Sequence, residues 1–302
     1  EKLEVIFIAD SEVSLKNIYR KLSALWHPDK HITDKRDTSK VFVHIKSLYE
    51  SALNKLNNGT LGKGLSIKFQ TTDNKEFLVK YQIQKDFELG KVYITNEYVV
   101  WCFLPEYKKN AQEGLERIKK LKFADEKMKR EFAKYVPEVS QTFETNEFFI
   151  VVIKKEKGFL NLKDVFDYYG KMEPKHMAWV ISTMYNLACF LKYNEVMHGG
   201  ITLENYYINP ENHEGYVLGG WWYSKKIGDN LEMLSELAVD VAPVSLLNSK
   251  KAQEGLDLEM IKLAGRIMLG DSTGVYLNKN PALPKRLVSW LRDASIGNSF
   301  KD

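Results

Sequence analysis

The apolar residues of this 302-residue chain change their period twice, and that pattern limits it to an α+β fold with segregated zones. From the start to about Asn58 they recur at helical spacing: Leu15, Ile18, Leu22 and Leu25, then Val41, Ile45, Leu48, Ala52 and Leu56. Ser14 reads as the N-cap of the first helix, and Asn57-Asn58-Gly59 as the stop of the second. Alternation then takes over. Strands are expected over Leu65–Thr71, Glu76–Gln82, Phe87–Thr95, Glu97–Leu104, Val139–Glu144 and Glu147–Lys154. Asp73-Asn74 and Thr145-Asn146 mark turns, and one long basic helix is expected over Ala111–Tyr135, stopped by Pro137. The rest returns to a helical period. Met177, Ile181, Met184, Ala188 and Leu191 form a stripe behind Pro174, a residue suited to a first helical turn. Short strands near Tyr206–Ile208 and Tyr216–Leu218 follow, then helices over Leu256–Met268 and Pro284–Arg292.

Composition excludes several classes. Hydrophobic residues at 44% and charged residues at 28% are globular values, not those of a disordered or collagen-like chain. The longest apolar runs, Val99–Leu104 and Phe148–Ile153, are of strand length, far below the ~18 residues of a membrane span. The first residues lack the basic-then-apolar pattern of a signal peptide, so none is expected. Cys102 and Cys189 form neither a metal spacing nor a disulfide framework, which points to a reducing cytoplasm. A net charge of +4 is too small to argue for nucleic acid alone. The charge is uneven, however: Lys108–Lys134 holds ten Lys/Arg against five Asp/Glu. A solvated helix face and a basic docking surface both fit that excess. His31, His44, His176 and His213 show no ligand spacing.

The first zone carries His27-Pro28-Asp29 between its two helices. With Ile18–Lys30 before it and Phe42–Glu50 after it, this stretch resembles a DnaJ-type J-domain over some 50 residues. Pro28 disfavours the helical region for His27 and ends the first helix. The resemblance implies docking on the ATPase of a DnaK-type chaperone through His27, Pro28 and Asp29 and through Lys16, Arg20 and Lys21 on the first helix. A helical hairpin that touches no chaperone is the alternative.

From about Phe77 the order of elements resembles a protein kinase, a β-rich N-lobe and a mainly helical C-lobe. The stretch Leu191–Asn205 is similar to the kinase helix and catalytic loop, whose pattern is H-R-D-L-x-x-x-N. His198 and Asn205 fall on its His and Asn. Gly199 falls on its Arg, and Gly200 on its Asp, the residue that accepts or orients the substrate proton in kinases. Where kinases carry the metal-binding Asp-Phe-Gly, this chain has Gly219-Gly220-Trp221-Trp222-Tyr223. Phe87–Tyr93 occupies the phosphate-loop place with a single glycine, and the kinase Lys would fall near Cys102. That leaves Glu113 or Glu116 without its usual partner. In a rival register Gly62-Lys63-Gly64 is the glycine loop and Lys80 the nucleotide lysine. Ala242-Pro243-Val244 stands where kinases have Ala-Pro-Glu, and Asp257 falls on the Asp that braces the catalytic loop.

The expected organisation is a J-domain-like module over 1–58, a linker with an extra hairpin strand over 59–76, and a kinase-like domain over 77–302, divided into lobes at 155/156. The expected function is a non-catalytic adaptor that binds a DnaK-type chaperone or another protein. No catalytic residue, metal or membrane is implied, and no cofactor beyond weak ATP binding. Two alternatives remain open: an atypical ATP-dependent phosphotransferase using Lys80, and an RNA-binding protein using the basic segment, with Trp221-Trp222-Tyr223 able to stack bases.

Overall fold

The computed structural model describes residues 6–7, 11–27, 38–57 and 66–301. The chain divides into two compact units, residues 1–85 with 93–95, and residues 86–92 with 96–302. The sequence reading had placed Phe77–Lys85 with the kinase-like part.

In the first unit α1 (Glu12–Leu25) and α2 (Thr38–Asn57) form a helical pair. Its core is Phe7, Leu15, Ile45, Leu48 and Ala52, with Tyr19 stacked on Tyr49 at 4.4 Å. The N-cap of α1 is Ser11, not Ser14: the Ser11 hydroxyl accepts the Ser14 N–H at 3.3 Å. Three residues of extra helix follow, which puts Glu12 in the first turn, where a carboxylate suits the helix dipole. Leu25, expected in the apolar stripe, is exposed. A separate hairpin pairs β1 (Ser66–Gln70) with β2 (Glu76–Lys80) in antiparallel register. Its turn is tied by the Thr71 hydroxyl, which receives the Lys75 N–H at 2.9 Å.

Of the strand expected over Phe87–Thr95 only β4 (Gly90–Ile94) forms; Glu88-Leu89 is a turn, and it follows β3 (Ile83–Phe87), of which the sequence expectation covered Phe87 alone. The reversal depends on Gly90, at φ 150°, where a Cβ would lie 2.0 Å from the Cys102 carbonyl oxygen. Next come β5 (Tyr98–Phe103), α3 (Lys108–Lys120), α4 (Glu126–Phe132), β6 (Val139–Glu144) and β7 (Phe149–Lys154). The sheet order is β3-β4-β5-β7-β6, with β5, β7 and β6 antiparallel; Cys102 faces Ile150 across the β5–β7 pair. Both central strands, β5 and β7, are buried along nearly their whole length, so they read as continuous apolar runs rather than alternating ones.

The single long basic helix does not form. It breaks after Lys120 because Phe123 turns inward to stack on Phe190 at 5.3 Å, and Asp125 restarts the helix by accepting the Met128 N–H at 2.7 Å.

The remaining elements are β8 (Leu160–Asn161), α5 (Leu162–Tyr169), α6 (Pro174–Tyr193), β9 (Val196–Met197), β10 (Tyr206–Asn209), β11 (Glu214–Val217), β12 (Lys225–Lys226), α7 (Glu236–Val241), α8 (Val244–Ser249), α9 (Gly255–Met268) and α10 (Lys285–Arg292). The core here is the stripe of α6 packed on α9. Gly265 permits that approach: a Cβ there would meet the Ile181 side chain at 2.4 Å. Small sheets β11-β10-β8 and β12-β9 border the loops that follow α6. Among the described residues no helix is long and apolar enough to cross a membrane.

Candidate functional site

The loop after β9 is built around a buried carboxylate. Asp257, in the first turn of α9, accepts the His198 N–H on Oδ2 and the Gly199 N–H on Oδ1, both at 2.7 Å. It is 2% exposed, and burial pushes its pKa up to about 7 against those two stabilising hydrogen bonds. His198 is fully buried, and desolvation lowers its pKa to about 3, so the imidazole is neutral. Its Nδ1 accepts the Gly200 N–H at 3.2 Å, and its ring stands edge-on to Trp221 at 4.6 Å. Asn205 closes the loop: its Nδ2 donates to the Gly200 carbonyl at 3.0 Å, and its own carbonyl accepts the Leu218 N–H at 2.9 Å.

That arrangement brings Gly200, Asn205, Gly219 and Gly220 together, and leaves no room among them. A Cβ at Gly200 would fall 2.8 Å from the Gly220 Cα and 3.0 Å from its carbonyl oxygen. At Gly219 it would fall 2.3 Å from Asn205 Oδ1 and 2.4 Å from Trp101 Cζ2. At Gly220, whose φ is 81°, it would fall 2.7 Å from the Gly200 carbonyl oxygen. Real Cβ atoms do not tolerate such distances, to backbone at Gly200 and Gly220 and to the Asn205 and Trp101 side chains at Gly219, so the glycines are imposed by close approach. The ring at Gly219 comes from β5. Trp101 is 2% exposed, donates its Nε1–H to the Leu218 carbonyl at 3.0 Å, and packs edge-on against Trp222 at 4.6 Å and Phe87 at 5.0 Å. Phe103 adds a fourth ring, 4.8 Å from Trp222. Trp221, Trp222 and Tyr223 are all buried in this core rather than free to stack a base.

Three polar ties close the same region. The Glu88 carboxylate, in the β3–β4 turn, accepts the Tyr223 hydroxyl at 2.5 Å and the Glu236 N–H at 2.8 Å. Lys225 donates to Glu113 of α3 at 3.0 Å and lies 3.4 Å from Glu232. Lys225, with Arg117 and Lys109, holds the Glu113 carboxyl below its ordinary value despite desolvation, which acts the other way. Arg117 donates to the Ser224 hydroxyl at 2.8 Å, and Gly114 lets α3 sit on the Trp221 backbone, where a Cβ would be 2.6 Å from the carbonyl oxygen.

The other sequence candidates lie elsewhere. Lys80 is exposed on β2, opposite Ser66, in the first unit. Cys102 is fully buried, and burial pushes its thiol up to about 12. Glu116 pairs with Lys119 at 2.8 Å on the surface. In the first unit His27 packs edge-on to Phe42 at 5.4 Å, Lys16 pairs with Glu12 at 3.2 Å, and Arg20 and Lys21 are exposed. Pro28, Asp29, His31 and the Gly62-Lys63-Gly64 loop lie outside the described residues. Trp101, Glu88 and Lys225 were not singled out from sequence. Trp101 carried the one available signal, a bulky ring beside the place where a kinase strand has its lysine. Among the described residues no three His, Cys, Asp or Glu side chains are grouped to hold a metal ion. Glycine at 200, 219 and 220 places no side chain at these three positions.

No protein-family model matches the chain. No curated protein matches it either. Among solved structures, the structure of vaccinia related kinase 3 superposes with a TM-score of 0.49 at 14% identity, over 74% of this chain and 73% of that one.

Proposed function

We propose that the second unit is a kinase-shaped scaffold that binds protein and transfers no phosphate. The observation that carries this reading is the Trp101 ring lodged against Gly219 and Asn205. It occupies the space that a carboxylate side chain at position 219 would need. The order of elements supports the kinase likeness: a meander of strands, the helices α3 and α4, two more strands, then α5 and α6 before a loop clasped by a buried Asp. Glu113 supports the loss of chemistry, because its lysine is Lys225 of β12, after the Gly-Gly pair, and not a residue of β5. Glu88 places a carboxylate at the turn where phosphates would lie, and repels them. The test is phosphate transfer from radiolabelled ATP, with magnesium or manganese, to the protein itself and to generic protein substrates. No incorporation is expected, in the wild type or in Gly200→Asp. Incorporation that disappears in Lys80→Ala would overturn the reading in favour of the rival register.

A separate reading concerns the first unit. The α1/α2 pair with His27 immediately after α1 supports docking on a DnaK-type chaperone. Its test is stimulation of a matched chaperone ATPase. His27→Gln should remove the effect, and equal stimulation by both proteins would sink it.

A further inference from the structure

The basic segment noted in the sequence is not used by the cleft. From Lys119 to Lys134 seven basic side chains face three acidic ones, a net +4 that equals the charge of the whole chain. The charges of the rest of the chain sum to zero. The strap is pinned from beneath. Phe123 and Phe132 stack on Phe190 at 5.3 and 5.7 Å, and Tyr135 is buried. The Lys122 N–H donates to Asn194 Oδ1 at 2.7 Å, and Asn194 Nδ2 returns a bond to the Lys122 carbonyl at 3.2 Å. Lys127 and Arg130 share a face of α4 at i and i+3, and Lys134 follows in the 3-10 turn Ala133–Tyr135 with its ammonium 5.6 Å from the Tyr135 ring; all three are exposed. Lys129 lies 3.8 Å from Glu126, but among the described residues no carboxylate comes within 4.0 Å of Lys127, Arg130 or Lys134. Like charges side by side on a helix are unfavourable when unpartnered.

We propose that the Lys127–Arg130–Lys134 face is a docking surface for an acidic segment of a protein partner. Charge complementarity sets the sign of the ligand, and two features favour a peptide over a nucleic acid. The aromatic rings of the strap all point inward, so none is offered to stack a base. Asp125, Glu126 and Glu131 interrupt the cations, and a regular phosphate backbone would run over them, whereas carboxylates spaced along a peptide need not. The surface is independent of the cleft and stands whether or not nucleotide binds there.

The test is fluorescence anisotropy of the full chain with a labelled glutamate decamer and, separately, with a single-stranded RNA oligomer of equal charge. The decamer should bind, weaken as salt rises, and lose about tenfold in affinity in Lys127→Glu/Arg130→Glu/Lys134→Glu, whose melting temperature should match the wild type. Reversal of the ion-paired Lys154, Lys157 and Lys163 should leave binding unchanged. Absence of decamer binding, equal loss in the control variant, or tighter binding of the RNA would overturn the proposal. If the triple variant were unfolded, Lys127→Gln/Arg130→Gln reads the same effect at smaller size.

Discussion

Placing a carboxylate at 219, where the kinase resemblance puts a metal-binding Asp, by Gly219→Asp, is expected to damage the fold rather than create a site. The new Cβ would lie 2.3 Å from Asn205 Oδ1 and 2.4 Å from Trp101 Cζ2, so ring or backbone must shift. Overpacking a buried position costs ~1–3 kcal/mol. Moving the Trp101 ring also breaks its bond to the Leu218 carbonyl and leaves a buried N–H unpaired, a further ~1–3 kcal/mol. A total of at least ~2–6 kcal/mol corresponds to a fall of roughly 4–24 °C in melting temperature for a unit of this size. The assay is urea or thermal unfolding followed by circular dichroism, because Trp101 itself contributes fluorescence. Trp101→Ala alone should cost ~3–5 kcal/mol. In that background Gly219→Asp should cost less than in the wild type, since one of its two clashes is gone; the coupling should be ~1–3 kcal/mol. A Gly219→Asp variant within about 0.5 kcal/mol of the wild type, or one equally costly with and without Trp101, would refute the filled cleft.

Asp257→Ala should cost ~2–6 kcal/mol, because the His198 and Gly199 N–H groups lose their acceptor inside the core; a loss below about 1 kcal/mol in chemical denaturation would contradict the clasp. His198 and Asp257 predict opposing pH effects. His198, lowered from 6.5 to about 3, contributes stability that is present above 6.5 and lost as pH falls toward 3. Asp257, raised from 3.8 to about 7, contributes stability that is present below 3.8 and lost as pH rises toward 7. Between about pH 4 and 6.5 the two offset, so Asp257→Asn should expose a slope near ~1.4 kcal/mol per pH unit, and an unchanged profile would contradict the assignment. A double-mutant cycle between Glu113→Gln and Lys225→Met should give a coupling of about 1 kcal/mol, discounted for the partial exposure of Glu113; zero coupling would show that Lys225 does not hold α3.

Period and turn chemistry made much of the architecture legible. The switch from helical to alternating spacing separates α1 and α2 from the strands, and Pro174 fixes the start of α6. Asp257 was singled out through the kinase resemblance, and the backbone N–H groups of the 198–199 turn are the donors it accepts. Other features depend on contacts that no local pattern records. The run from Lys108 to Tyr135 has helical spacing throughout, and only Phe123 packing on Phe190 and the Asp125 cap show why it must break. Phe87–Thr95 alternates like one strand, and its turn at Glu88-Leu89 appears only once Gly90 meets the Cys102 carbonyl. Ser11 and Ser14 are equivalent cap candidates by type, and the structure chooses the earlier one. In the cleft the missing carboxylates were visible in the letters Gly200, Gly219 and Gly220. The ring that fills their place was not, since Trp101 reaches Leu218 across 117 residues of sequence.

Whether this cleft admits a nucleotide is decided most directly by unfolding temperature with and without magnesium and ATP. A ligand at ~100 times its dissociation constant stabilises the folded state by ~2.7 kcal/mol, a rise of roughly 5–11 °C here. With Trp101 against Gly219 and Glu88 bound to Tyr223, no rise is expected, with or without the metal. A magnesium-dependent rise of that size at low micromolar ATP would contradict the filled cleft and the non-catalytic scaffold with it.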